Sequence, residues 1–326
     1  MISIEALQHS HAEEFHSIFR EVFGSDLSVA LADWKYGEGR GLQFGVFSDE
    51  RRMVAHCGIT FRDALVEHRP RRVAQLGDQF GVRNKPGGLA RRGSVFGSLL
   101  RHVLDQVPSA DNPDALVYGF PSTPVIGLIE RLGLGTSLNV IHELSFLPTV
   151  PPTSPPGLFS NDRLQLERVT RFDRSFQRQA ECMWRAMAKD FGDGALGVRN
   201  AGYLMYRYVR HPEHQYEIYR VRSWFGRTVG LAVCRRTGAE LELMDVVASL
   251  ANMSLCIATL KRNLSALGIG VLKMWLLDRH AAHFSSLATS VVPLQFHQMV
   301  NHNSSGGNLD RFKNRWWLTS GDADYR

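Results

Sequence analysis

The chain has 326 residues, a length that suits two ordinary domains or one large one. Hydrophobic residues make up 44% and charged residues 21%, which is typical of a globular protein and excludes a disordered chain. The net charge of +6 favours an anionic ligand. The basic residues are nevertheless scattered, so nucleic-acid binding is not indicated, and no apolar run is long enough to span a membrane.

The four cysteines lie far apart and form no CxxC pair, so we expect no disulfide framework and predict a reducing, cytoplasmic location. The N-terminal segment carries acidic residues and histidines where a signal peptide would need an apolar core. The two histidines of the segment 11–16 are five residues apart and do not share a helix face. We therefore expect no metal site.

Two halves of the chain carry similar patterns. An amphipathic helix with helical apolar spacing is predicted at 15–22 and again at 176–191. A β-hairpin introduced by an aromatic-basic-aromatic triplet follows in each half, at 34–63 and at 206–236. An apolar helix and a buried strand come next in both halves. The matched order of elements favours a duplication over chance similarity.

A proline-rich segment separates the halves. Residues 148–157 hold five of the thirteen prolines, and proline fixes φ and removes a backbone donor. We predict a stiff linker over 148–158 between a domain at 1–147 and a second domain at 159–326. The alternative is a long surface loop inside a single domain.

A long strand and a glycine-bearing turn stand at the centre of the first half. Alternation predicts a strand over 71–82, with the side chains of residues 74, 76, 78, 80 and 82 on one face. Two arginines and Gly93 then precede a helix whose apolar residues keep helical spacing. The N-terminus of a helix presents unpaired N–H groups and the positive end of a dipole. The turn is either a phosphate-binding loop or a plain helix start.

This order of elements resembles the GNAT acyltransferase fold. The turn Arg91–Phe96 and the segment 115–135, with its Gly119-Phe120-Pro121-Ser122 turn, carry the resemblance. The resemblance implies an α+β protein with two tandem GNAT-like domains, each a mixed, mostly antiparallel sheet flanked by helices. It also implies a second copy that has degenerated, because no comparable turn follows the segment 241–248.

The resemblance further implies that acetyl-CoA or another acyl-CoA is the co-substrate. The implied cofactor contacts are Phe80, Gly81, Val82, Arg91, Arg92, Gly93, Ser94, Val95, Phe96 and Ser122. An opening for this ligand is expected beside Phe80 to Val82. The corresponding gap in the second half is expected to be filled, or covered by a strand at 315–320. Asp322 and Asp324 are expected to lie at a solvated end, the alternative being that they reach the cleft between the halves.

Transfer of an acyl group to an amine requires a base. We predict Asp78 first, because it precedes the expected position of the thioester, then His56 and Glu143. Ile129 stands where many family members have a tyrosine that protonates the leaving thiolate. Trp34 and Tyr36 are predicted to line an acceptor pocket, or else to lie in the core.

The predicted function is acyl-CoA-dependent N-acyltransfer, with acetyl as the expected group. The expected acceptor is an amine of a small molecule or glycan precursor bound at the cleft between the halves. The alternatives are an enzyme similar to the tRNA-dependent aminoacyl transferases, or a duplicated binding module without catalysis.

Overall fold

The computed structural model describes residues 2–81, 94–107, 116–149, 164–301 and 309–323. The strands are β1 (Ser3–Ala6), β2 (Gly41–Phe47), β3 (Met53–Val66), β4 (Arg69–Gly81), β5 (Val117–Gly119), β6 (Gly135–Phe146), β7 (Gln165–Arg168), β8 (Ala195–Gly197), β9 (Glu217–Arg222), β10 (Thr228–Thr237), β11 (Glu240–Val247), β12 (Val271–Leu277), β13 (Ser290–Asn301) and β14 (Trp316–Trp317). The helices are α1 (Ala12–Phe23), α2 (Val29–Tyr36), α3 (Val95–Gln106), α4 (Thr123–Arg131), α5 (Arg174–Phe191), α6 (Ala201–Leu204), α7 (Leu250–Asn263) and α8 (Asp278–Phe284). In this described part, no helix is both long and apolar enough to cross a bilayer.

A single twisted sheet runs through the molecule in the order β1-β2-β3-β4-β5-β13-β6-β12-β11-β10-β9-β7. The pairs β4–β5 and β11–β12 are parallel, and their neighbours along this path are antiparallel. β14 pairs with β8, which joins the side of β3. The predicted α+β class, a mixed and mostly antiparallel sheet flanked by helices, is confirmed.

The duplication is visible in the order of the elements. In the first half α1 is followed by β2, β3 and β4, then by α3 and the parallel strand β5. In the second half α5 is followed by β9, β10 and β11, then by α7 and the parallel strand β12. A strand–helix–strand unit with parallel strands therefore occupies the same place in both copies.

Pairing between the halves is extensive. β6 of the first half pairs with β12 of the second, from Ile141 opposite Leu277 to Phe146 opposite Leu272. β13 of the second half is inserted between β5 and β6 of the first. The domain division at 148–158 stays a prediction, and most of that segment lies outside the described residues.

Helices pack on both faces of the first half of the sheet. α3 and α4 bury Leu99, Val103 and Ile129 against one face, and α1 buries Phe15 and Phe19 against the other. In the second half α5 and α7 share a larger core around β10 and β11. The long apolar stripes that predicted these helices are their buried faces.

β4 contains a β-bulge that overturns one sequence expectation. Gly58 on β3 lies opposite Gly77 and His56 lies opposite Phe80, so β4 carries one extra residue between these pairs. Asp78 sits in this bulge with a φ of 50°. The side chains of residues 74, 76, 78, 80 and 82 were predicted on one face. That prediction is wrong, because Leu76 packs beside α3 whereas Phe80 packs beside α1.

Candidate active site

The parallel strands β4 and β5 part soon after they meet. They pair only at Ala74 with Val117 and at Gln75 with Tyr118. β5 ends at Gly119, whereas β4 continues to Gly81. The gap between them is a cavity of about 630 Å³, here called the wedge, lined by 75–81 on one side and by 119–122 and α4 on the other.

The start of α3 lies beside the wedge. Ser94 caps the helix, and its Oγ accepts a hydrogen bond from the backbone N–H of Gly97 at 3.1 Å. Phe96, in the first turn, lines the cavity. The first turn of α3, where a helix has the positive end of its dipole, therefore borders the wedge through Phe96.

The predicted cofactor contacts divide into three groups. Phe80, Gly81, Phe96 and Ser122 line the wedge. Ser94 and Val95 form the start of α3. The remaining predicted contacts lie outside the described residues; they are Val82, Arg91, Arg92 and Gly93.

Asp78 lines the wedge and belongs to a buried polar cluster. Its Oδ2 accepts hydrogen bonds from Lys35 Nζ at 2.6 Å and from the Tyr36 hydroxyl at 2.5 Å. Burial alone would raise the pKa of Asp78, but the charge of Lys35 and these hydrogen bonds together hold it below its usual value. Asp78 is therefore an ionised carboxylate at neutral pH and a weak base.

His56 lies directly behind the wall of the wedge. Its ring is fully buried between Phe15 and Phe80, with centroids 4.5 and 5.4 Å away. Nδ1 lies 2.7 Å from the Asp78 carbonyl oxygen, and within the described residues Nε2 has no hydrogen-bond partner. Burial lowers the pKa of His56 to about 4, so the imidazole is neutral, and its Nδ1–H donates to the Asp78 carbonyl.

The third predicted base, Glu143, lies elsewhere in the sheet. It is on β6, where its Oε2 accepts a hydrogen bond from the Trp275 indole at 3.2 Å, and it does not line the wedge. Ile129 does line the wedge, at the position where the resemblance placed a tyrosine. Of the three predicted bases, the structure brings together Asp78 and His56.

Lys35 is the site residue that the sequence did not single out. Its side chain is 3% exposed, although lysine is rarely buried without a partner. The available signal was its place between two aromatic residues at the end of α2. Tyr36 beside it packs against Gly58, where a Cβ would lie 2.2 Å from the tyrosine hydroxyl.

A second cavity of about 540 Å³ lies between the two halves, and we call it the basic cavity. α2 and β3 of the first half line it, together with residues 197–207 and Asp322 of the second half. Trp34 and Tyr206 stack in its wall with ring centroids 4.9 Å apart. Trp34 thus lines a pocket between the halves, as predicted, whereas Tyr36 bonds Asp78.

The equivalent gap in the second half is filled. β11 and β12 pair as far as Leu243 and Met274, and the turn Ser320–Asp322 packs against both strands. A Cβ on Gly321 would lie 2.1 Å from the Tyr208 hydroxyl, and the remaining space near Leu276 is about 10 Å³. The expected filling of this gap is therefore observed.

The C-terminal segment fills the gap in a different way from the predicted one. Its strand β14 pairs with β8 and not with the central strands. Asp322 is 2% exposed and accepts a hydrogen bond from Arg199 at 2.5 Å, while Arg199 also bonds Asp245 at 2.7 Å. The expected solvated end is wrong for Asp322, because a buried arginine holds it, and Asp322 instead lines the cavity between the halves, which was the alternative. Asp324 lies outside the described residues.

The molecule has the fold of the GNAT N-acetyltransferases, in tandem form, as the sequence resemblance predicted. No protein-family model matches the sequence, and neither does any curated protein. A GCN5-related N-acetyltransferase from Kribbella flavida is similar, with a TM-score of 0.64 and 14% identity over 92% of this chain and 70% of that one.

Two further solved structures have the same architecture. One is a tandem GNAT protein from the clavulanic acid biosynthesis pathway, with a TM-score of 0.59 and 9% identity over 94% of this chain and 100% of that one. The other is N-myristoyltransferase from Saccharomyces cerevisiae with bound myristoyl-CoA. Its TM-score is 0.55, with 8% identity over 97% of this chain and 86% of that one.

The close packing of Tyr36 on Gly58 generates the first prediction. Gly58→Ala places a Cβ where the Tyr36 ring lies, so the ring must move away from Asp78. We expect a loss of about 1–3 kcal/mol in the free energy of unfolding, measured with urea. Gly127→Ala in α4 is the control, because nothing lies within 4 Å of its Cβ and alanine favours the helix. Equal stability of the two variants would contradict this packing.

The buried imidazole of His56 generates a pH prediction. Its folded pKa of about 4 lies below the ordinary 6.5, so the unfolded chain takes up the proton first. Stability from this group is present above pH 6.5 and is lost as the pH falls towards 4. When the pH is lowered from 7 to 5, the free energy of unfolding in urea should fall by about 2 kcal/mol more for the wild-type protein than for His56→Gln. Equal losses in the two proteins would show that His56 is not held neutral.

Proposed function

We propose that this protein is an acyl-CoA-dependent N-acyltransferase that transfers the acyl group directly from the thioester to an amine. The wedge between β4 and β5, open above the start of α3, is the observation that carries this proposal. The acyl group proposed is acetyl, the acceptor is a small molecule or a glycan precursor, and the location is the cytoplasm. The four unpaired cysteines agree with a reducing compartment.

The wedge suits an extended chain that carries amides. Beyond Gln75, β4 no longer pairs with β5. The edge of β4 on that side can therefore offer backbone N–H and C=O groups to a ligand. Phe19, Phe80 and Phe96 supply apolar surface in the same cavity. We assign the pantetheine and the thioester to the β4 edge near Phe80 and Gly81. The pyrophosphate is assigned to the start of α3 at Ser94, Val95 and Phe96, with Ser122 on the opposite wall.

Asp78 is proposed to hold the attacking amine. Both of its hydrogen bonds end on Oδ2, and within the described residues Oδ1 makes none. Oδ1 can therefore accept a hydrogen bond from an amine in the wedge and hold the nitrogen against the thioester carbon. Because its pKa is lowered, Asp78 is a poor acceptor of a proton from an ammonium group. Its role in this proposal is therefore to orient an amine that is already neutral.

The remaining chemistry needs no covalent intermediate. The amine nitrogen attacks the thioester carbon while backbone N–H groups of β4 face the developing oxyanion. The C–S bond breaks, the thiolate of CoA leaves, and the proton lost by the nitrogen passes to that thiolate or to water. A thiol has a pKa of about 8.5, so the thiolate departs without an acid in the place that Ile129 occupies. Cys57 is not proposed as a nucleophile, because it is buried and burial raises the pKa of its thiol.

Binding of the co-substrate is the first test. Acetyl-CoA at about a hundred times its Kd should stabilise the protein by about 2.7 kcal/mol, seen as a rise in Tm. Val125→Trp places an indole in the wedge and should abolish the shift. Leu147→Trp, at an exposed position outside the wedge, should keep it. If acetyl-CoA and longer acyl-CoAs leave the Tm of the wild-type protein unchanged, the non-catalytic module becomes the better hypothesis.

The role of Asp78 is tested by removing its ion pair as a unit. Lys35→Met with Asp78→Asn avoids a lone buried charge, and asparagine tolerates the positive φ of the bulge. We expect kcat/KM for the acceptor to fall about a hundredfold while the Kd of acetyl-CoA changes little. The matched control is Lys273→Met with Glu240→Gln, which removes a more exposed ion pair remote from the wedge. A drop of less than threefold in the first double variant would rule out this role.

A further inference from the structure

The lining of the wedge is mostly apolar. Of the described residues that line it, Asp78 is the only charged one. Six others are phenylalanines, drawn from both halves of the chain: Phe19, Phe23, Phe80, Phe96, Phe120 and Phe296. Apolar cavities of this kind bind small molecules, and a charged group at a fixed place sets the orientation of the ligand.

Three of these phenylalanines pack together on the side of β4 that faces α1 and α2. The centroid of the Phe23 ring lies 4.6 Å from that of Phe19 and 6.2 Å from that of Phe80. Phe19 and Phe80 belong to a buried cluster against which residues of α2 also pack. We call Phe19, Phe23 and Phe80 the aromatic wall of the wedge.

Asp78 lies on the same side of β4 as the aromatic wall. Its carboxylate bonds Lys35 and Tyr36 at the end of α2. Because α2 packs in the same cluster as Phe19 and Phe80, the carboxylate and the rings are both on the α1 and α2 side of the wedge. α3, to which the pyrophosphate is assigned, packs against the opposite face of the sheet. The amine side of the wedge is therefore also its aromatic side.

Phe23 is the exposed member of the aromatic wall. It is the last residue of α1 and lines the wedge, and it is 44% exposed although it packs beside two other rings. Apolar surface left open in a cavity favours a ligand that covers it, because the covered surface is removed from water. The Phe23 ring therefore marks a place for an apolar group.

A ligand with its amine at Asp78 can lay a neighbouring apolar group against this wall. We propose that the acceptor is an amine that carries an aromatic or aliphatic group, and that the aromatic wall binds this group. The pantetheine is assigned to the backbone of β4, which leaves the Phe80 ring to the acceptor. Sugar hydroxyls buried against the same rings would lose hydrogen bonds to water without replacement. The inference favours an apolar small molecule over a glycan precursor, and it rests on the proposed function in treating the bound amine as the acceptor.

The binding of three amines tests this proposal. Phenethylamine is compared with ethylamine, which lacks the ring, and with glucosamine, by titration calorimetry with and without CoA. We expect phenethylamine to bind about tenfold tighter than ethylamine, because covering the phenyl ring removes apolar surface from water. The proposal is overturned if phenethylamine does not bind more tightly than both other amines.

Variants locate the preference on the aromatic wall. Phe23→Ser should reduce the preference for phenethylamine over ethylamine to less than about threefold, since the ring that it covers is gone. Phe23→Leu, which keeps an apolar side chain, should retain more of the preference. Phe225→Ser is the matched control, because Phe225 is 87% exposed and does not line the wedge. Survival of the full preference in Phe23→Ser would overturn the proposal.

A long acyl chain is the other source of an apolar group in the wedge. The Kd values of octanoyl-CoA and acetyl-CoA are therefore compared in the wild-type protein and in Phe23→Ser. We expect the same ratio of the two Kd values in both proteins. If Phe23→Ser weakens octanoyl-CoA selectively and leaves the preference among amines unchanged, the ring serves the acyl chain and the proposal is overturned.

Acyl transfer is measured separately, so that this inference and the proposed function can fail independently. Transfer of acetyl to glucosamine and to phenethylamine at equal kcat/KM would support the proposed function and overturn the apolar acceptor. Binding of phenethylamine that depends on Phe23, without transfer from any acyl-CoA, would support the aromatic wall as a binding site and count against the enzyme.

Discussion

The buried ion pair between Lys35 and Asp78 is the interaction on which both cavities depend. Removing two charges from water costs several kcal/mol per ion, so such a pair persists only with close geometry and further hydrogen bonds. The β-bulge at Asp78 supplies the close geometry, and the Tyr36 hydroxyl supplies a further hydrogen bond. Because the pair joins the end of α2 to the bulge in β4, it forms part of the wall of the wedge and of the basic cavity. A packed aliphatic pair could hold the same elements together, but it would leave no charge facing the wedge.

Much of the fold could be predicted because its elements are encoded locally. Apolar stripes predicted α1, α3, α5 and α7, and alternation predicted β4. The insertion of β13 between β5 and β6 could not be predicted in this way, since pairing between strands about 145 or more residues apart leaves no local pattern. The bulge at Asp78 was missed for a related reason. One extra residue in a strand moves every later side chain to the opposite face of the sheet, and the alternation of residue types does not mark where that residue lies.

The two copies of the fold diverge through a few residues. The first keeps an open gap because β5 ends at Gly119 while β4 continues to Gly81. In the second, Gly321 lets the C-terminal segment approach the Met244 carbonyl and the Tyr208 hydroxyl, and Arg199 holds Asp245 and Asp322 beneath it. The site residues were predicted only where a residue type stood out. Lys35 lies between two aromatic residues, but that context does not predict its burial, which follows from tertiary packing.

The position of β13 determines when the wedge can form during synthesis. Phe296, Met299 and Asn301 of this strand line the wedge beside β5, yet they follow β4 by more than 200 residues. A ribosome that has released only the first half exposes the edges of β5 and β6 without their partner, and unpaired strand edges attract other chains. Completion of the wedge must therefore wait until residue 301 has emerged. Premature termination between the two halves would therefore yield an aggregation-prone fragment without a complete wedge.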